Sequence, residues 1–129
     1  MEADSPLSVR SVSSGYFGKE VLHGVSFEVN EPGIYVVLGL NGAGKATLFR
    51  TIAGILRPMT GGVCVFGQPV TERETKRKIC HLSHSDALPE GMTVSQALAF
   101  YSRIEGASEE DVKRTVESLS LSDLMGKRV

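Results

Sequence analysis

Most features that would assign these 129 residues to a specialised class are missing. No apolar run approaches the roughly 18 residues of a bilayer-spanning helix, so direct membrane insertion is not expected. Charge of one sign is missing too. Lys and Arg total 14 against 15 Asp and Glu, a formal charge of −1. That balance supplies no bulk attraction to nucleic acid or to an anionic lipid surface. Cysteine is scarce: Cys64 and Cys80 form neither a C-x-x-C pair nor a metal-ligand spacing. A disulfide scaffold is thereby excluded, and the pair reads as two core thiols in a reducing compartment. Met1 to Arg10 carries Glu2 and Asp4 and no apolar stretch, so it does not read as a secretory signal. Internal repeats, low-complexity tracts and linkers are lacking. What is left is an ordinary composition, 41% hydrophobic, of a length that fits a single domain, residues 1–129, in the cytoplasm. Any membrane association would come through a partner.

Glycine is in excess, at 14 residues against an average of about 7%; such an excess suggests tight turns or backbone packed against a ligand. The first part of the chain reads as strands. Leu7, Val9 and Ser11 alternate with Ser8, Arg10 and Val12 as a weak first strand, which Ser13-Ser14-Gly15 breaks. Val25-Ser26-Phe27-Glu28-Val29 alternates with period two, as a half-buried strand does. Asn30 to Gly33 predicts a turn. Ile34-Tyr35-Val36-Val37-Leu38 is continuously apolar, the pattern of a strand buried on both faces of a parallel sheet.

A glycine-rich loop follows from Gly39 to Gly44. Ala46 to Ala53 predicts a helix with Leu48, Ile52 and Ile55 on its apolar stripe and Gly54 as its stop. Thr60-Gly61-Gly62 predicts a turn, Val63 to Phe66 a strand, Glu72 to Lys78 a helical turn or two, and Ile79 to Leu82 a short buried strand. Thr93-x-x-Gln96 is a capping box for a helix whose Val94, Ala97, Leu98 and Tyr101 share a face. Ser108-Glu109-Glu110-Asp111 opens another helix, with carboxylates at the positive end of its dipole; Val112, Val116 and Leu119 continue its apolar stripe.

The segment that carries chemistry is Gly39-Leu40-Asn41-Gly42-Ala43-Gly44-Lys45-Ala46-Thr47. It nearly matches the phosphate-binding loop G-x-x-x-x-G-K-[ST]. Glycines let backbone N–H groups turn inward as an anion nest. The loop leads into a helix N-terminus, whose unpaired N–H groups and dipole favour negative charge. The lysine ammonium then reaches the β- and γ-phosphates as a point charge. The spacing alone arises by chance in roughly one such sequence in fifteen. Its context, a β-rich run before and an apolar-striped helix after, is what gives it weight. One position fails. Ala46 stands where a Ser or Thr hydroxyl would hold Mg²⁺, and Thr47 is rotated from it by about 100° around a helix. Weakened metal positioning is therefore expected, by roughly ten- to a hundred-fold for one charge-assisted contact.

With these residues in view, the sequence resembles the N-terminal part of the ATP-binding cassette domain of ABC transporters. Gly15-Tyr16, Val21 to Val29, Gly39 to Leu48, Thr51 to Pro58, Thr60-Gly61-Gly62 and Gly91-Met92-Thr93-Val94 carry the match in order and spacing over essentially the whole chain. The resemblance implies an α/β fold, a P-loop NTPase of ABC type that is incomplete here. It would comprise an antiparallel β region, the start of the parallel core and part of a helical subdomain. Residues 1–88 would form the β-rich phosphate-loop core and residues 89–129 the helical portion. Tyr16 resembles the aromatic that stacks on adenine. Gly39, Leu40, Asn41, Gly42, Ala43, Gly44 and Lys45 resemble the phosphate cradle, Ala46 follows them, and Thr47 matches the second hydroxyl of the family's loop, which helps hold phosphate. His84 stands where the family carries a glutamine that contacts Mg²⁺.

The resemblance also implies ATP and Mg²⁺ as cofactors, a membrane-spanning transporter subunit as partner, and dimerisation through ATP-binding domains. The serine-glycine-glycine signature, a second acidic motif and a catalytic glutamate are absent from these residues. Phosphoryl transfer needs positioned metal and water as well as a cradle, so this chain is expected to bind nucleotide and hydrolyse it poorly. Strands that flank Ile34 to Leu38 in a complete domain are missing too, and without them that run would lose neighbours on both edges.

Two other readings compete. One is an inactive interaction module docking on a membrane-spanning partner through Leu98 and Tyr101. The other, an unrelated P-loop kinase or GTPase, fits poorly with the β-rich segment around Tyr16 and with the lack of any guanine-recognition motif. His81 and His84 form H-x-x-H without a third ligand nearby and read as surface histidines. Arg73, Lys76, Arg77 and Lys78, interrupted by Glu74, read as a solvated face rather than a nucleic-acid contact. Met92 and Met125 read as packing residues.

Overall fold

A computed structural model describes residues 5–83 and 90–129. The chain divides into two compact units, Met1–Leu82 and Ser83–Val129. The first is built on an antiparallel sheet. Strand β1, Leu7–Tyr16, pairs along one edge with β2, Lys19–Val29, and along the other with β3, Thr60–Val65. Strand β4, Gln68–Pro69, closes on β3, so the order is β2-β1-β3-β4. The β-branched residues that suit a pleated, half-buried surface make the core. Val9, Val12, Val63, Val65 and Val70 are buried together, with Leu7, Val25, Phe27, Ile52 and Ile79 packed around them.

Strand β1 does not break at Ser13-Ser14-Gly15 as expected. It runs on to Tyr16, with those three residues buried. Tertiary partners override the local signal: the Ser13 hydroxyl accepts from Gly24 N at 3.1 Å, and Ser14 Oγ lies 2.8 Å from Thr51 Oγ1. A two-residue turn then joins β1 to β2, with positive φ at both Phe17 and Gly18, as in a type I′ hairpin. Thr60-Gly61-Gly62, expected as a turn, belongs to β3. At position 61 a Cβ would lie 2.3 Å from the carbonyl oxygens of Arg10 and Ser11. The glycine is there because β3 passes close over the irregularity in β1 between Arg10 and Ser13.

Helix α1, Lys45–Ile52, packs against the sheet through Thr47, Leu48 and Thr51. Of the stripe expected for it, Leu48 is buried and Ile52 reaches the core, whereas Ile55 lies beyond the helix and is exposed. Gly54 ends the helix as expected: its φ is +68°, and the amides of Ile55 and Leu56 both donate to the carbonyl of Arg50, at 2.9 and 3.0 Å. A single turn, α2, follows at Arg73–Lys76.

Two expected strands do not form. Ile34 to Leu38 is in no sheet, with Ile34 97% and Leu38 88% exposed. A parallel strand draws its stability from a ladder on each edge and helices on each face. Among the described residues no strand flanks this run, so the apolar pattern has nothing to bury against. Ile79 to Leu82 is likewise outside any strand. Ile79 packs on the core but Cys80 is exposed, which corrects its reading as a core thiol; Cys64 is half-buried.

The second unit holds α3, Val94–Glu105, and α4, Glu109–Ser118, followed by a short 3-10 turn at Ser122–Leu124. The four orphan amides that open a helix are all satisfied in α3. Val94 N donates to Lys127 O at 2.9 Å and Ser95 N to Met125 O at 3.0 Å. Gln96 N donates to Thr93 Oγ1 at 3.2 Å, Thr93 N donates back to Gln96 Oε1 at 2.9 Å, and Ala97 N reaches Thr93 O. Ala97 is buried and Val94 and Leu98 are half-buried, but Tyr101 is exposed beside Phe100, ring edge to ring face at 5.3 Å.

Candidate phosphate and nucleobase site

The loop that precedes α1 has the backbone its glycines allow. Gly42 and Gly44 have φ of +84° and +96°, the left-handed geometry from which anion nests are made. Ala43 N donates to Leu40 O at 3.1 Å and closes the turn between them. Gly44 is also the residue immediately before α1. A Cβ there would lie 2.9 Å from a methyl of Leu22, so close packing on β2 requires glycine as much as the dihedral does. No acidic residue occupies the first turn of α1, which leaves the positive end of its dipole uncompensated.

Lys45 folds back over this loop. Its Nζ donates to the carbonyls of Gly39 at 2.6 Å and Leu40 at 2.8 Å. Two of the three ammonium N–H groups are so engaged. Gly39, Leu40, Gly42, Ala43, Gly44 and Lys45 thus meet in one loop that the Lys45 ammonium closes, with Asn41 exposed in it. Ala46 presents an exposed methyl group beside it. Thr47 is buried. Ala46 offers no side-chain oxygen to a divalent cation. Among the described residues no group of three or more His, Cys, Asp or Glu could hold a metal ion; His84 lies outside them. The residues present fit a polyphosphate anion; the hydroxyl that would hold its metal is missing.

Tyr16, at the end of β1, meets α1 at Arg50. Arg50 Nη1 donates to the Tyr16 phenol oxygen at 3.3 Å. This hydrogen bond, seconded by the Thr47 hydroxyl, holds the phenol below the ordinary tyrosine pKa. Two residues earlier on the same face of β1, Ser14 meets Thr51. Because the Thr51 hydroxyl proton goes to the carbonyl of Thr47 at 2.8 Å, Ser14 is the donor in the Ser14–Thr51 pair. Ser14, Thr51 and Arg50 were not singled out in the sequence. The available signal was helical spacing: Thr47, Arg50 and Thr51 share one face of α1.

A family model for the ABC transporter matches residues 22–129. The sn-glycerol-3-phosphate import ATP-binding protein UgpC of Cereibacter sphaeroides is 35% identical over 95% of the chain and 36% of its own length. The cytochrome c biogenesis ATP-binding export protein CcmA of Paracoccus denitrificans is 34% identical over 94% of the chain and 52% of its own. The chain therefore spans between about a third and about half the length of these curated relatives. Among solved structures, an ATP-binding subunit of an ABC transporter superposes with a TM-score of 0.79 at 25% identity, over 96% of this chain and 54% of that one. A bacterial Atm1-family ABC exporter with ATP bound gives 0.78 at 25% identity, over 100% of this chain and 24% of that one. A glycine loop closed by Lys45, a helix that starts at that lysine, and a match from Leu22 to the last residue leave one assignment: the chain belongs to the ABC transporter family of ATP-binding proteins.

Proposed function

We propose that this chain is the nucleotide-binding portion of an ABC transporter ATP-binding subunit. It would take the phosphates of ATP in the Gly39–Lys45 cradle and the adenine against Tyr16. The observation that carries the reading is the ammonium of Lys45 bonded to the carbonyls of Gly39 and Leu40 at the mouth of a loop with left-handed Gly42 and Gly44. A phosphate entering there replaces those two cation–carbonyl contacts with contacts in which both partners carry charge. The loop amides and the N-terminus of α1 add neutralisation without reorganising. Mg²⁺ would supply neutralisation of the phosphate charge there. With a methyl group at position 46 this chain would orient that ion poorly, and hydrolysis would be slow. In the whole protein the portion would serve ATP-driven transport from the cytoplasmic face, paired with a membrane-spanning subunit and with a second ATP-binding domain. The exposed Phe100–Tyr101 pair on α3 favours a second reading, an inactive module that docks on such a subunit.

Thermal melts of the chain alone, with ATP and EDTA, and with ATP and Mg²⁺ test this. Binding to the folded state raises the midpoint by mass action. ATP with EDTA is expected to raise it, Mg²⁺ to add little, and Lys45→Ala to abolish the shift. Ala46→Ser is expected to make the ATP affinity Mg²⁺-dependent by roughly ten- to a hundred-fold. A cooperative melt that ATP leaves unmoved would overturn the reading in favour of the docking module.

A further inference from the structure

The β1–α1 junction carries a contact that phosphate binding does not require. Strand β1 presents Ser14 and Tyr16 on one face, and α1 answers with Thr47, Arg50 and Thr51. The Ser14–Thr51 pair is fully buried and sits within the packing of the helix on the strand. The Arg50–Tyr16 hydrogen bond is different. It lies at the edge of the junction, is part-buried, and joins a guanidinium to a neutral phenol rather than to a carboxylate. Among the described residues Arg50 has no acidic partner. Tyr16 is also the last residue of β1, half-buried, before the Phe17-Gly18 turn. The same helix that begins with Lys45 thus reaches back, five residues on, to the aromatic of the base side.

We propose that Arg50 is a positioning residue for the nucleobase: its guanidinium pins the phenol of Tyr16 to α1, so that the ring is held at a set distance and angle from the phosphate cradle before nucleotide arrives. This rests on the reading that Tyr16 receives the adenine. Pinning removes the cost of ordering the ring on binding. It also ties base platform and phosphate lysine to one rigid element. Arg50 would therefore act on ligands that carry a base and be silent toward the polyphosphate alone.

The test compares ATP with inorganic tripolyphosphate, by calorimetry on the full chain. The variants are Tyr16→Ala (no ring), Tyr16→Phe (ring without tether), Arg50→Ala and the length-preserving Arg50→Met. Tyr16→Ala is expected to show the largest loss for ATP. Tyr16→Phe and Arg50→Met are expected to lose about three- to tenfold each, and no more when combined, because both cut the same bond. Tripolyphosphate affinity stays within about twofold throughout. In an ultraviolet titration of the tyrosines, Arg50→Met raises the Tyr16 phenol, whose titration is identified by its loss in Tyr16→Phe. A merely structural loss would move both ligands together. If Arg50→Met and Arg50→Ala weaken ATP and tripolyphosphate alike, Arg50 is a phosphate cation and the proposal is overturned. If both leave ATP affinity intact while Tyr16→Ala lowers it, the tether is idle and the base reading survives. If Tyr16→Ala lowers neither, the base reading itself fails.

Discussion

Thr51 is fully buried and polar, and it survives there because both of its hydrogen-bonding roles are filled. It donates to the carbonyl of Thr47 and accepts from Ser14. Thr51→Val keeps the shape and removes both roles, leaving the Ser14 hydroxyl orphaned in a fully buried place. Thermal or denaturant unfolding is expected to show a loss of about 1–3 kcal/mol. The double variant Ser14→Ala with Thr51→Val should recover part of it, because an apolar pair costs less than a lone hydroxyl. Phe17 is the opposite case: an aromatic fully exposed at a φ of +53° in the hairpin turn. Side chains other than Gly, Asn and Asp hold that conformation at a cost of about 1 kcal/mol or more. Phe17→Asn places the favoured residue before Gly18. It is expected to stabilise the first unit by about 0.5–1 kcal/mol, read as a raised midpoint in the same melts. No change, or a fall, would show that the Phe17 ring has a packing role.

Helix α4 has few apolar contacts and depends on its start. Ser108 accepts from Asp111 N at 3.2 Å, and the Asp111 carboxylate accepts from both the hydroxyl and the amide of Ser108. Those bonds, the hydroxyl first and the amide second, hold the Asp111 carboxyl below its ordinary pKa. A depressed carboxyl stabilises the folded helix while it is ionised. The contribution is therefore complete above the ordinary aspartate range and is lost as pH falls through that range and below it. Circular dichroism across acid pH should show helix content falling in that window, and Asp111→Asn should remove that pH-dependent step. A pH-independent helix would contradict this role. Capping at this level is local in sequence: the spacing of Thr93 with Gln96, and Ser108 ahead of a run of carboxylates, sufficed to place both helix starts. The amides of Val94 and Ser95 were not accounted for in that way, because their acceptors, Lys127 and Met125, lie about thirty residues downstream. For the same reason Ser13-Ser14-Gly15 was legible only as a break: what keeps it in β1 is a hydroxyl on α1 and an amide on β2.

At the scale of the molecule, the apolar run Ile34 to Leu40 stands open. Such a stretch, β-rich, uncharged and unpaired, is prone to edge-to-edge association. Light scattering should find concentration-dependent self-association, and Val36→Lys should suppress it without lowering the melting midpoint, since Val36 is 73% exposed and supports no core. Association that persists unchanged in Val36→Lys would place its source elsewhere. The pattern of this run was readable as a buried strand, yet burial needs partners, and no described strand lies beside it. The glycine-rich loop proposed to take phosphate was legible as a loop running into a helix because its features are contiguous: glycines, a lysine and a helix start follow one another, and backbone dihedrals are local properties. The same locality marked Gly54 as the helix stop. Tertiary structure alone decided the rest. It brought Tyr16 to Arg50 across 34 residues, seated Gly61 against the carbonyls of Arg10 and Ser11, and left Ile34 to Leu38 unpaired. Each of these is a contact between distant segments, set by which surfaces are present to meet, and no pattern within either segment encodes that.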